Sequence, residues 1–118
     1  NGLSSSPFPR FKVLTGSQTA VRFKVNASTV YGQNIYIVGG VSELNNWSTL
    51  LAIGPFYNNT ETIGKYPVWF FDISVPANTT FEYKFIKVDG AGNVVWESGA
   101  NRSITTTSNT QEVFAYWR

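Results

Sequence analysis

Short runs of residues that alternate between apolar and polar side chains are the feature that most restricts how this chain can fold. The run VRFKVNA, at 21–27, places Val21, Phe23 and Val25 on one side and polar side chains on the other. An alternation with a period of two predicts a β-strand that buries one face and exposes the other. Similar runs recur along the chain, and no stretch keeps the helical period of an amphipathic α-helix.

Turn residues divide these runs into predicted strands at 20–27, 34–39, 50–53, 68–75, 80–88, 94–98, 103–107 and 110–117. Asp89-Gly90 supplies a tight hairpin turn between two of them. So many short strands in 118 residues predict an all-β fold, an antiparallel immunoglobulin-like β-sandwich of seven or eight strands. Residues 1–19 are rich in Ser and Pro, which predicts the end of a linker or an N-terminal arm, so the sandwich domain is expected at 20–118.

The missing residue types exclude several classes of function. The chain has no His and no Cys, which rules out Ser-His-Asp and Cys-His nucleophilic sites and removes the commonest metal ligands. No metal and no cofactor are therefore expected. The net charge is only +2, and the scattered Lys and Arg residues argue against a nucleic-acid partner. Because no run of about 18 apolar residues occurs, no membrane span is expected.

Aromatic residues make up 16% of the chain and outnumber the charged residues, at 14%. Most of them alternate within predicted strands and are expected in the core. Others lie in or beside polar loops: Trp47, Trp96, Tyr31, Tyr57 and Tyr66. These rings could plug the core, or they could offer flat apolar surfaces edged by amide and carboxylate groups. The second arrangement suits the C–H face and the hydroxyl edge of a sugar, and composition leaves both interpretations equally open.

Three motifs together resemble the starch-binding domain of carbohydrate-binding module family 20. They are YGQNIYIVGGVSELNNW, FEYKFIKV and VVWESGANRS, and their order and spacing match over roughly residues 20–118. The resemblance implies a non-catalytic β-sandwich that binds starch, amylose, maltooligosaccharides and cyclodextrins. It also implies a monomeric module, covalently linked to the catalytic domain of a secreted, extracellular starch-degrading enzyme. A glucoamylase is favoured over an α-amylase or a starch-active copper monooxygenase.

The resemblance further implies two starch sites. Site 1 is expected to contain Trp47, Lys84, Trp96, Glu97 and Asn101, with the tryptophans stacking on sugar and the others forming hydrogen bonds. Site 2 is expected to contain Tyr31, Trp69 and Tyr57, with Tyr57 preferred to Tyr66. The family's fungal members often have a disulfide that this chain lacks.

Five N-x-Ser/Thr sequons begin at Asn26, Asn46, Asn58, Asn78 and Asn101, which favours a secreted glycoprotein over a chance product of an Asn- and Ser-rich sequence. A glycan on Asn101, or beside Trp47, would crowd site 1. The expected carriers are therefore Asn26, Asn58 and Asn78.

Two other functions remain open at this point. A β-sandwich can serve as a protein-interaction or glycogen-targeting domain. The seven acidic residues could also contain a glycosidase-like pair, which would make the chain an enzyme in its own right.

Overall fold

The computed structural model describes residues 17–118, which form two four-stranded β-sheets with a shared hydrophobic core. The strands are β1 (Gln18–Asn26), β2 (Asn34–Gly39), β3 (Tyr57–Thr60), β4 (Gly64–Pro76), β5 (Thr80–Val88), β6 (Val94–Trp96), β7 (Arg102–Thr105) and β8 (Gln111–Tyr116). The predicted all-β sandwich is confirmed. An N-terminal arm is predicted at 1–19, and residues 1–16 of it lie outside the described part of the chain. Gln18 and Thr19 belong to β1.

The first sheet has the strand order β3-β4-β1-β8. Its pairs are antiparallel except β1 and β8, which run parallel with Phe23 opposite Val113. The second sheet has the order β2-β5-β6, and β7 also pairs with β5. β6 and β7 pair with different parts of β5, at 86–88 and 80–83, and both run antiparallel to it. The segment 97–101 therefore bulges out between them, opposite Lys84 and Phe85.

Aromatic rings form the centre of the core between the two sheets. Phe23 of β1 contacts Tyr83 edge to face, with ring centroids 5.1 Å apart, and contacts Phe85 at 6.5 Å. Phe56, in the loop before β3, meets Phe85 at 6.0 Å. Edge-to-face contacts of this kind add to the free energy gained from burying the rings. The core thus fixes β5 against both β1 and the loop that precedes β3.

Two parts of the predicted strand pattern differ from the structure. The strand expected at 50–53 is wrong: Leu50 is 94% exposed, the preceding residues form turns, and only Ile53 makes a single bridge, to Ile37. The polar insertion after Phe56 instead contains β3, whose turn into β4 is closed by the Thr60 hydroxyl. That hydroxyl accepts hydrogen bonds from the N–H groups of Ile63 and Gly64.

A short 3-10 helix, η1 (Ser42–Trp47), follows β2. No helix within residues 17–118 is long and apolar enough to cross a membrane.

Asp89 holds the turn that leads from β5 into β6. Its carboxylate accepts hydrogen bonds from the N–H groups of Ala91 and Asn93, both at 2.9 Å, and from the Asn93 side chain at 3.0 Å. These bonds hold the pKa of Asp89 below its ordinary value, and the Asn93 side chain contributes most. The turn is therefore fixed by a charged acceptor just before the strand that carries Trp96.

We expect Asn93→Ala to raise the pKa of Asp89 towards the ordinary aspartate value of 3.8. Since the folded-state pKa is depressed, the stabilisation is present above the unfolded pKa and is lost as pH falls through the folded pKa. An NMR titration of the carboxyl carbon measures this shift. Asp72, whose pKa is lowered by Arg22, is the internal control and should not change. An unaltered Asp89 pKa in the variant would contradict the assignment.

Candidate functional site

The outer face of the second sheet carries a row of apolar side chains beside charged ones. Tyr36 lies opposite Ile86, which in turn lies opposite Trp96, so these three side chains share the face directed away from the core. Ile86 is fully buried although it faces outward. Trp96 itself remains 42% exposed and presents part of its ring to solvent.

Trp47 reaches the same face from the end of η1. Asn45, Asn46 and Trp47 all have positive φ angles, a conformation that asparagine tolerates better than most residues. The indole Nε1 of Trp47 lies 3.3 Å from the position that a Cβ on Gly40 would occupy. Any side chain at Gly40 would therefore crowd the ring, so this glycine permits a close approach of the ring to the backbone.

Leu44 anchors the helix below Trp47. A Cβ on Gly39 would lie only 2.6 Å from the Leu44 Cδ1 atom and 2.8 Å from the Glu82 carbonyl oxygen. The sequence alone suggests that Gly39 and Gly40 form a turn. In the structure they are glycines because a side chain at Gly39 would clash with Leu44, and one at Gly40 would crowd the Trp47 ring.

Lys84 connects the sheet to the segment 97–101. Its ammonium group donates hydrogen bonds to the carbonyl oxygens of Glu97, at 3.0 Å, and Gly99, at 2.6 Å. These use two of the three N–H donors of a lysine. Asn101, at the other end of the segment, is exposed and donates to the Glu82 carboxylate at 3.0 Å. Lys84 and Asn101 therefore form a polar edge on the face that carries Trp96.

Glu97 does not fit the sugar-contact role expected for its carboxylate. The residue is only 3% exposed, and its carboxylate accepts a hydrogen bond from the Phe85 N–H at 3.0 Å. The same carboxylate forms an ion pair with Arg102, at 2.6 Å between Nη2 and Oε2. The hydrogen bonds that Arg102 donates to this carboxylate are the largest cause of a raised Arg102 pKa, and the negative charge of Glu97 raises that pKa further. The expectation is corrected because buried partners already occupy the carboxylate.

Arg102 was missed by sequence reasoning. Its position at the end of the loop that begins with Glu97 is the only signal the sequence offers. Four of the five residues expected for site 1 thus lie on or beside the same outer face, and the name site 1 is used hereafter for Trp47, Lys84, Trp96 and Asn101. Their contact with sugar stays a prediction.

A second exposed aromatic group lies around the loop that follows β1. Tyr31, at the tip, is fully exposed. The hydroxyl of Tyr66 accepts a hydrogen bond from the Thr29 N–H at 3.0 Å and donates to the Thr29 carbonyl at 3.3 Å. The hydrogen bond with the Thr29 backbone lowers the pKa of Tyr66. Tyr66 is therefore hydrogen-bonded to the loop that carries Tyr31, at Thr29, two residues before Tyr31.

Trp69 and Tyr57 do not lie where site 2 was expected to place them. Trp69 is only 3% exposed, and its indole N–H donates to the Ala27 carbonyl at 2.9 Å, so it supports the loop from the core and offers no free face. Tyr57 packs against Phe70 and Phe71 on the first sheet, with centroids 5.7 and 5.6 Å apart. Tyr66, whose ring meets Trp69 edge to face at 6.0 Å, is instead the tyrosine that is hydrogen-bonded to the loop carrying Tyr31, and its role in site 2 stays a prediction. Site 2 is hereafter Tyr31 and Tyr66.

The asparagines expected to carry glycans have different surroundings. Asn78 is exposed in the turn between β4 and β5, whereas Asn58 is partly buried at a bulge in β3. Asn26 is partly buried, opposite Val68 and Tyr116 in a central strand. Glycosylation stays a prediction, and Asn78 offers the most room for a glycan.

Comparison with known proteins supports the resemblance seen in the sequence. The model of the starch binding domain family matches residues 18–115. A cyclomaltodextrin glucanotransferase of Geobacillus stearothermophilus is 53% identical over 111 residues, which cover 93% of this chain and 15% of that protein. The crystal structure of a gamma-CGTase from alkalophilic Bacillus clarkii is 52% identical with a TM-score of 0.84, over 92% of this chain and 16% of that one.

A family 15 glucoamylase from Hypocrea jecorina is more distant, at 28% identity and a TM-score of 0.78, over 98% of this chain and 20% of that one. The chain thus spans 15% to 20% of the length of these relatives. Nearly all of its described residues are matched by the family model, which confirms the family resemblance. The chain belongs to the starch-binding domain family, carbohydrate-binding module family 20, whose members are non-catalytic parts of amylolytic enzymes.

Proposed function

We propose that this starch-binding domain holds α-glucan chains at two separate places, site 1 and site 2, without cleaving them. The observation that carries the proposal is the partly exposed ring of Trp96, held beside the fixed polar groups of Lys84 and Asn101. A pyranose presents an apolar C–H face that suits an indole ring and a hydroxyl edge that suits amide and ammonium groups.

Site 1 is rigid before any sugar arrives. The close packing at Gly40 fixes Trp47, and cross-strand pairing with Ile86 fixes Trp96. Lys84 is held by two carbonyl groups. Because these side chains are already ordered, binding a sugar costs little conformational entropy at this site.

Site 2 consists of Tyr31, in the loop that follows β1, and Tyr66, near the start of β4. Tyr66 is held by its hydrogen bonds to Thr29, whereas Tyr31 stands fully exposed at the loop tip. A starch chain is a long polymer of identical units, so two sites on one domain can engage the same granule. Once one site is bound, the second binds at a high effective concentration.

The whole protein to which the domain is linked is proposed to be an extracellular enzyme that acts on starch. The sequence resemblance alone favours a glucoamylase as the linked enzyme. However, the chain is 53% identical to a cyclomaltodextrin glucanotransferase and only 28% identical to a glucoamylase. We therefore favour a glucanotransferase as the linked enzyme. Cyclodextrins and maltooligosaccharides are the proposed soluble ligands, and the domain is proposed to act as a monomer.

Sedimentation with raw starch tests the function as a whole. The chain should pellet with washed granules and should release from them when soluble β-cyclodextrin is added. Incubation with soluble starch should produce no reducing ends above those of a protein-free control. A chain that stays in the supernatant would favour a protein-interaction domain, and a steady release of reducing ends would favour an enzyme.

Trp96→Ala removes the exposed platform of site 1. By analogy with the stacking of bases on aromatic side chains, we expect a loss of about 1–3 kcal/mol in β-cyclodextrin binding at this site. Titration calorimetry in a Tyr31→Ala/Tyr66→Ala background isolates that site. Phe114→Ala is the matched control, because Phe114 is a comparably exposed ring, at 51%, on the other sheet. Equal losses in the two variants would contradict a specific platform.

Tyr66 and Tyr57 offer a second matched comparison, since they are 48% and 55% exposed. In a Trp47→Ala/Trp96→Ala background, which leaves only site 2, we expect Tyr66→Ala to abolish the remaining β-cyclodextrin binding. Tyr57→Ala should leave it unchanged, because Tyr57 packs on Phe70 and Phe71. Calorimetry measures both variants, and the reverse outcome would restore Tyr57 to site 2.

A further inference from the structure

A single buried ion pair joins the two ends of the loop between β6 and β7. Glu97 and Arg102 stand at its two ends, and the side chains are only 1% and 11% exposed. The four residues between them include Asn101, and all four are exposed. Trp96 immediately precedes Glu97. Each member of the ion pair therefore directly follows a residue of site 1 in the chain, Glu97 after Trp96 and Arg102 after Asn101.

Both members of the pair are fixed to the rest of the fold. The Glu97 carboxylate accepts from the backbone N–H of Phe85, which holds it to β5. The Arg102 guanidinium lies over the Phe85 ring, 5.5 Å from its centroid, and donates to the Tyr116 carbonyl of β8. A charged pair taken out of water is tolerated only when the remaining donors and acceptors are satisfied in this manner.

Cationic side chains hold the carbonyl groups of the same loop from two sides. Lys84 donates to the carbonyls of Glu97 and Gly99. Arg118 donates to the Ala100 carbonyl at 3.1 Å, and its own carbonyl accepts from the Ser98 N–H at 3.3 Å. The loop is thus bound to β5 on one side and to the end of the chain on the other, with the ion pair beneath it.

We propose that Glu97 and Arg102 are positioning residues for site 1, which set the spacing between the Trp96 ring and the Asn101 amide by closing the loop over a buried ion pair. The inference rests on the proposed function of site 1. Neither side chain contacts the sugar. Each acts through the residue next to it, Glu97 through Trp96 and Arg102 through Asn101. Breaking the pair leaves a buried charge without its partner, which favours an opened loop.

The test uses the Tyr31→Ala/Tyr66→Ala chain, in which only site 1 binds. Glu97→Gln keeps the acceptor for the Phe85 N–H and removes the charge. We expect β-cyclodextrin binding by calorimetry to weaken by about tenfold, because a platform and a hydrogen-bonding group held at the wrong spacing lose affinity. Asp72→Asn, which breaks the exposed ion pair of Arg22 on the other sheet, is the control and should bind like its parent.

A double-mutant cycle with Asn101 separates positioning from general destabilisation. Asn101→Ala should weaken binding in the parent and should add little in the Glu97→Gln chain, where the amide is already displaced. Glu97→Gln should also leave site 2 unchanged when it is measured in the Trp47→Ala/Trp96→Ala background. Additive losses, or an equal loss at both sites, would overturn the proposal.

Arg102→Lys decides the matter if Glu97→Gln does not fold. Lysine keeps the charge but lacks the planar fork that binds both carboxylate oxygens and the Tyr116 carbonyl together. It should therefore weaken site 1 alone. An affinity for β-cyclodextrin within twofold of the parent would overturn the inference. If the site-1 parent itself does not bind β-cyclodextrin, the proposed function has failed and not this inference.

Discussion

The alternation of side chains along β5 is the constraint on which the core and the binding face both depend. Phe81, Tyr83 and Phe85 are buried in the core, whereas Lys84 stands on the opposite face. Because the period is two, a slip of one residue in the pairing of β5 would bury Lys84 and expose Phe85. The edge-to-face contacts of Phe85 with Tyr83, Phe23 and Phe56 stabilise the register observed. The geometry that presents Lys84 to the loop before β7 is therefore a consequence of core packing.

The charged side chains in and around site 1 mainly hold the loop between β6 and β7 in place. An α-glucan carries no charge, so a sugar gains nothing from a net field at the site. Lys84 and Arg118 instead hold loop carbonyls, and Arg102 neutralises the buried carboxylate of Glu97. Charge-assisted hydrogen bonds are shorter and stronger than neutral ones, which suits them to fixing an exposed loop. The groups left for the proposed sugar contact are the two tryptophan rings, the Asn101 amide and one N–H of the Lys84 ammonium group.

The sequence predicted this fold well wherever one face of a strand is buried and the other solvated. It failed where that condition does not hold. Trp69 and Phe70 are both buried, so the alternation around Trp69 gives no sign that its ring lies in the core. Glu97 follows an exposed tryptophan and precedes an exposed loop of Ser, Gly, Ala and Asn, yet its side chain turns inward to Arg102. The choice between Tyr57 and Tyr66 depended on a hydrogen bond to Thr29, far away in the chain, which no local pattern contains.

The two sites differ in how much order they possess before the ligand binds. At site 1 the sheet, the glycine contact of Trp47 and the ion pair beneath the loop fix the groups in advance. At site 2 Tyr66 is held, but Tyr31 stands in solvent and must be ordered against the sugar. Ordering a side chain on binding costs about 0.5–1.5 kcal/mol. We therefore propose that site 1 makes the first contact with a glucan chain, and that site 2 gains most once that contact has raised the local concentration of sugar.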